Sequence, residues 1–391
     1  MKESFLHKKL EERKAEQAYR TLRLPDGKAD FCSNDYLGII HQGLIEANTT
    51  AATTPLLHGS GGSRLLAGNY SRIEQLEKML ATFHEAPAGL AFNSGYDANL
   101  GLLSCVPQRG DTVLYDTLSH ASLRDGLRLS FAQAFAFEHN DLHALEKRLQ
   151  AATGNIFVVT ESVFSMDGDQ APLEAMVRLC KQYEANLIVD EAHGTGVIGE
   201  QGEGLVQHLG LQQACFARIH TFGKAVGCHG AVILGSETLR QFLINFSRPF
   251  IYTTALPESS VAAIQTAYGL FPAMHSARKQ LQQLIQLFQQ ASLPFEKLRS
   301  DTPIQVVIIP GNDQVKAIAG RLQAAHLDVR PILYPTVPKG SERLRIVLHA
   351  FNTVDEVNQL IHLLTASASP ALCHNWSHWG RCLLPAGCRF P

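Results

Sequence analysis

Leu187-Ile-Val-Asp-Glu-Ala-His193 is an apolar run that ends in a carboxylate, and it is the strongest local chemical signal in the chain. In an α/β protein such a run places Asp190 at the carboxyl end of a strand, where ligands gather. A carboxylate there can hold a metal, a nucleotide or the protonated nitrogen of a heterocyclic cofactor. The Asp-Glu pair with its following His also fits a nucleotide hydrolase. That chemistry needs a phosphate loop, and the one glycine-rich candidate, Gly59-Ser-Gly-Gly-Ser63, lacks the Gly-Lys-Ser/Thr ending and follows no predicted strand. On its own it reads as a flexible turn.

Lys224 stands in Thr221-Phe-Gly-Lys-Ala-Val-Gly227, after one apolar run and before a glycine-rich stretch. A surface lysine would be ordinary there. Flanking by small residues, with a hydroxyl at Thr221, also suits a partly desolvated amine that forms a Schiff base beside a bound phosphate. Ser94-Gly95-Tyr96 follows another apolar run and opens a helix at about Asp97, which makes an anion site for that phosphate. His120, in Ser119-His-Ala-Ser122, follows a later strand and could stack flat on an aromatic cofactor; a lone His is as readily structural.

These residues need a scaffold that brings strand ends together. Buried-type strands are expected at 90–92, 112–115, 134–137, 156–160, 187–190, 217–221 and 231–234, with helices at 98–105, 142–151 and 173–184 between them. This alternation predicts an α/β layer fold with a mostly parallel sheet. Residues 2–20 read as an amphipathic, heavily charged helix, 29–37 as a short extended piece and 72–84 as a helix. A long helical region follows residue 237, interrupted at 251–257. A smaller α/β unit has strands at 305–309 and 344–348 and helices at 314–325 and 353–364. The expected partition is an N-terminal segment 1–45, a large domain 46–270, a small C-terminal domain 271–365 and an atypical, disordered tail 366–391. The tail holds both tryptophans and three of the eight cysteines.

Composition narrows the classes. Hydrophobic residues are 45% and charged residues 18% of 391, a globular balance. The net charge of −2 comes without a basic stripe, which argues against nucleic acid. The charged N-terminus has no secretory apolar core, and no apolar run is long enough to span a bilayer, so a soluble cytoplasmic protein is expected. No cysteine pair has zinc-ribbon spacing, and no metal centre is expected.

Several longer stretches add to this reading: Ser33-Asn-Asp-Tyr-Leu-Gly38, Gly59-Ser-Gly-Gly-Ser-Arg64, Ser119-His-Ala-Ser122 and Thr160-Glu-Ser-Val-Phe-Ser-Met-Asp-Gly-Asp169. Asp190-Glu-Ala-His-Gly-Thr-Gly196, Thr221-Phe-Gly-Lys224, Ile251-Tyr-Thr-Thr254, Pro335-Thr-Val-Pro338 and Arg343-Leu-Arg345 continue the series. In order and content the chain resembles the α-oxoamine synthases, fold-type I enzymes that use pyridoxal phosphate (PLP). The resemblance implies that Lys224 carries the cofactor and later acts as base toward the substrate Cα. It implies Asp190 at the pyridine nitrogen, His193 at the ring hydroxyl and His120 stacked on the ring. Gly95, Tyr96 and Thr221 would hold the phosphate, with Thr253 and Thr254 supplied by the second subunit of a homodimer with shared active sites. Glu161 and Ser165 would border ring and substrate. Asn34 would help hold the acyl-transfer intermediate, Arg345 the amino-acid carboxylate, and Arg20 the far carboxylate of the acyl chain. The Phe164–Pro172 and His193–Gly202 runs are most similar to the branch that condenses L-alanine with a pimeloyl thioester, on CoA or carrier protein, in biotin biosynthesis. Sister branches take glycine or serine with other acyl-CoA donors.

Overall fold

The computed structural model describes residues 3–49 and 56–367. Seven strands form the main sheet: β1 (Ala88–Phe92), β2 (Thr112–Asp116), β3 (Gln133–Phe137), β4 (Ile156–Glu161), β5 (Asn186–Asp190), β6 (Ala217–Thr221) and β7 (Ala231–Gly235). Their spatial order is β1-β7-β6-β5-β4-β2-β3. Only β7 runs against its neighbours. The expected strands are all present, each within two residues of its predicted ends.

Parallel strands covered on both faces need near-continuous apolar sequence, which is why β5 reads Asn-Leu-Ile-Val-Asp. Ile188 and Ile219 pack on one side with Leu102, Leu123 and Val159. Leu187 and Val189 pack on the other with Met176, Leu173 and Phe164. Each such fully buried side chain contributes about 1.5–3 kcal/mol. With its sides committed to packing, the sheet leaves its carboxyl edge for polar chemistry.

A second sheet is antiparallel throughout: β8 (Glu296–Lys297), β9 (Ile304–Ile308), β10 (Arg330–Ile332) and β11 (Arg343–Val347), in the order β10-β11-β9-β8. β8 and β10 were not expected, because a charged pair and a Pro-containing triplet carry no strand period. Two-residue strands at Ala29–Asp30 and Leu327–Asp328 pair in parallel and tie the N-terminal segment to this part of the chain.

Two expectations are corrected. The first helix, Ser4–Ala15, buries no residue and is not amphipathic in place. Phe5, Leu6 and Leu10 stay exposed, because Lys9 and Arg13 break any apolar stripe. The helix expected near Asp97 begins at Gly95, because the Ser94 hydroxyl accepts the Asp97 N–H and sets the cap earlier. Of the 366–391 segment only Ala366 and Ser367 are described, and the expected disorder lies outside the described residues. No helix among the described residues is long and apolar enough to cross a membrane.

Behind β6 two histidines, His84 and His220, meet without solvent contact, with ring centroids 3.9 Å apart and planes tilted by 32°. Burial, helped by neighbouring Arg218, pushes His84 down to about 3; burial and His84 itself hold His220 well below the ordinary imidazole value. The folded chain therefore binds fewer protons than the unfolded chain below the ordinary histidine pKa. Stability is complete above about pH 6.5 and is lost as pH falls toward the folded values. Denaturant unfolding between about pH 6.5 and pH 5 should lose up to ~1.4 kcal/mol per pH unit for each histidine. A His84→Gln/His220→Gln variant should show a flatter dependence. An equally steep profile in that variant would contradict the assignment.

Candidate active site

The carboxyl ends of β4, β5 and β6 bring the chemical residues together. Glu161 ends β4 and Asp190 ends β5, and the two are in register across the parallel pair. Thr221 ends β6, and Lys224 follows it in the next turn. Two buried carboxylates side by side cannot both ionise cheaply. Burial and the Asp190 charge push the Glu161 carboxyl up to about 8. Its Oε1 accepts the backbone N–H of His120 at 2.6 Å, which fixes the start of the Ala121–Leu129 helix.

Lys224 is half-buried, and its Nζ lies 2.7 Å from His193 Nε2. Burial pushes the amine down to about 8, although the Asp190 and Glu161 charges pull the other way. His193 is held well below its ordinary value by burial and by the Lys224 charge. It is neutral at pH 7, and its other nitrogen, Nδ1, meets the Tyr36 hydroxyl at 2.6 Å. Tyr36 is fully buried, is raised to about 12, and donates to Asn34 Oδ1 at 3.1 Å. Arg345 donates from Nη2 to the same Asn34 oxygen at 3.0 Å and from Nε to the Ser165 carbonyl at 2.7 Å. One hydrogen-bonded line therefore runs from Lys224 through His193, Tyr36 and Asn34 to Arg345.

The phosphate side is built around glycine. A Cβ on Gly95 would meet the Thr221 side chain at 3.2 Å, so any larger residue would make Thr221 give way by a few tenths of an ångström where the helix start approaches β6. The first N–H groups of a helix lack intrahelical partners, and Ser94 takes that of Asp97, which leaves those of Gly95 and Tyr96 for an anion. The Tyr96 hydroxyl is bonded to Asp125, so only its backbone points to this role. Asn93 donates to Thr253 Oγ1 at 3.1 Å and to the Thr254 carbonyl at 2.9 Å, setting both threonines beside the helix start within one chain. An anion cradle, a depressed amine and a strand-end carboxylate together fit PLP in its three chemically distinct parts.

Arg20 stands apart from this group. Its Nη2 donates to Thr336 Oγ1 at 3.1 Å, and it lines a groove of about 680 Å³ with Arg23, Lys316 and Arg330.

Other residues in the network had no assigned role from sequence. Tyr36 and Ser122 lay inside noted motifs, yet nothing in their type singled them out. His139 had no motif at all. It sits between Asp116 Oδ1 at 2.9 Å and Asp169 Oδ2 at 2.7 Å, and these two carboxylates outweigh its burial and raise it to about 10. As an imidazolium it clamps the 163–170 loop, which also presents Asp167 to Arg343 and the Ser165 carbonyl to Arg345.

A mostly parallel sheet with a lysine after β6, an aspartate ending β5 and an anion-binding helix start after β1 defines a fold-type I PLP-dependent enzyme. The family model for aminotransferase class I and II matches residues 26–364. The 8-amino-7-oxononanoate synthase of Marinobacter nauticus is 40% identical over 93% of this chain and 96% of its own. A solved serine palmitoyltransferase from S. paucimobilis with PLP and myriocin bound has a TM-score of 0.82, with 26% identity, 94% of this chain and 97% of that one covered. The solved 8-amino-7-oxononanoate synthase of Francisella tularensis has a TM-score of 0.72, with 28% identity over 87% of this chain and 98% of that one. The chain belongs to the aminotransferase class I and II family and, within it, to the 8-amino-7-oxononanoate synthases.

The lysine is the testable centre of this electrostatics. Amine-directed acylation of the cofactor-free protein, followed against pH and mapped by mass spectrometry, should reach half its maximal rate at Lys224 near pH 8, not 10.5. Asp190→Asn should move that midpoint lower still, because it removes the charge that most favours the ammonium. A midpoint that rose would contradict the placement.

Proposed function

We propose that the chain condenses L-alanine with a pimeloyl thioester, giving 8-amino-7-oxononanoate, carbon dioxide and free thiol, as a cytoplasmic homodimer in biotin biosynthesis. The observation that carries this reading is the hydrogen-bonded line from Lys224 to Arg345. It sets a proton-accepting amine at one end and a carboxylate-binding guanidinium at the other, the two groups that an α-amino acid needs.

In this reading Arg345, oriented by Asn34 and the Ser165 carbonyl, pairs with the carboxylate of alanine. Lys224, with its pKa near 8, is partly neutral at physiological pH and takes the Cα proton. His193 stays neutral and bonds the ring hydroxyl of the cofactor. Asp190 faces the pyridine nitrogen, and His120 covers the ring. Gly95, Tyr96 and Thr221 hold the phosphate, joined by Thr253 and Thr254 beside the same helix start, while Glu161 and Ser165 border ring and substrate. Asn34 helps hold the acyl-transfer intermediate, and Arg20 receives the far carboxylate of the pimeloyl chain. PLP, when bound, supplies the electron sink that makes Cα acidic and lets the β-keto acid lose carbon dioxide. Residues 46–270 serve as the cofactor domain and 271–365 as the small domain that brings Arg345.

The atoms balance simply. Cα bonds the thioester carbonyl and the C–S bond breaks, the thiolate taking a proton to leave as free thiol. The bond from Cα to the alanine carboxylate then breaks to release carbon dioxide and Cα is reprotonated, with Lys224 returning the proton it took and solvent supplying the second.

Thiol release from pimeloyl-CoA and from pimeloyl carrier protein should require L-alanine and PLP. Glycine or L-serine in its place should give little. Release with glycine or serine but not alanine would move the chain to a sister activity, and silence with every pair would contradict the reading. Lys224→Ala should remain folded, hold PLP weakly and lose turnover.

A further inference from the structure

We propose that Asn99 is a positioning residue that acts through Asp190 and, by way of Ser122, through His120, locking both groups against the cofactor ring. The inference rests on the reading above, in that it takes PLP as the ligand.

Asn99 lies on the inner face of the Gly95–Cys105 helix and is 2% exposed. Its neighbours on that face, Ala98 and Leu102, are apolar and pack into the core. An asparagine here therefore needs a reason. Its amide nitrogen donates one hydrogen to Asp190 Oδ2 at 2.7 Å and lies 3.0 Å from Ser122 Oγ. A flipped amide would set Oδ1 against the Asp190 carboxylate, so the network fixes the orientation. That leaves Oδ1 buried and without a partner among the described residues. Two donor bonds to polar groups on an otherwise apolar helix face are more than packing requires.

The consequences follow by counting hydrogens. Ser122 Oγ receives a hydrogen from Asn99, so its own single proton is free to go to His120 Nδ1 at 2.8 Å. The Ser122 backbone N–H donates to the same nitrogen at 3.2 Å. His120 Nδ1 is then an acceptor twice over, and the proton of the neutral ring sits on Nε2. On the other side Asp190 Oδ1 takes the Ala192 N–H at 2.9 Å. Both Asp190 oxygens are therefore tied to fixed donors and the carboxylate cannot turn.

Two helices must approach closely for one amide to span this gap. Gly126 provides for it: a Cβ there would come within 2.9 Å of Leu103 Cβ and 3.0 Å of the Asn99 carbonyl. The bridge thus joins three elements, the Gly95–Cys105 helix, the Ala121–Leu129 helix and β5, at the place where the ring would lie.

A double-mutant cycle on the full-length protein with PLP tests this. Asn99→Ala, Asp190→Asn and the pair are compared for the PLP dissociation constant, the pH midpoint of the bound cofactor's absorption change, and the melting temperature of the cofactor-free protein. Asn99→Ala should weaken PLP about tenfold and shift the pH midpoint by roughly one unit, with little change in melting temperature. In the Asp190→Asn background the same substitution should cost less, about threefold in PLP affinity from the remaining Ser122–His120 arm, and should leave the pH midpoint unmoved. Ser122→Ala, a smaller lesion at the far end of the bridge, should weaken PLP by a lesser factor and leave the Asp190-dependent midpoint in place. Equal losses in both backgrounds, or no loss in the parent background, would overturn the proposal while leaving the function intact. A parent protein that takes up no PLP would overturn the functional reading and this proposal with it.

Discussion

One amine and two carboxyl groups share the water-poor edge of a parallel sheet, and the rest of the site is arranged around them. Glu161 and Asp190 stand in register because β4 and β5 are parallel neighbours, and Lys224 reaches the same edge from the turn after β6. Burial disfavours the charged forms of Glu161 and Lys224. The pair resolves the conflict by holding Glu161 as the acid and leaving the lysine easy to deprotonate. A lysine in water would be almost wholly charged at neutral pH and a poor base.

The surrounding residues keep this balance from relaxing. His193 stays neutral beside Lys224, Tyr36 is too buried to ionise, and Asn34 gathers donors from Tyr36 and Arg345. Arg345 belongs to β11 of the second sheet, so the line also joins the two sheets across the site. The His139 clamp has the same effect from another direction, because Asp116 ends β2 while Asp169 closes the loop that meets Arg343 and Arg345.

Much of this could be read from the sequence where type and position coincide. The seven strands were legible because strands buried on two faces need unbroken apolar runs. Asp190 and Lys224 were legible because each sits just past such a run. The lesser strands β8 and β10 were not, since Glu296–Lys297 and Arg330–Ile332 have no period. Asn99 was hidden for a different reason. It lies mid-helix among apolar residues, and its partners are 23 and 91 positions away, a distance only the fold can close. His139 was hidden likewise, as its meaning depends on two carboxylates brought from β2 and from the 163–170 loop. Arg20 was read from family likeness alone, and the fold sets it in a basic groove bonded to Thr336.

The central claim is that the depressed amine of Lys224 is where PLP is held. Mixing the protein with PLP, reducing with borohydride and mapping the stable adduct by peptide mass spectrometry tests it directly. The account predicts one pyridoxyl group per chain, on the peptide that contains Lys224, and its loss in Lys224→Ala. An adduct spread over surface lysines, or none on that peptide, would contradict it.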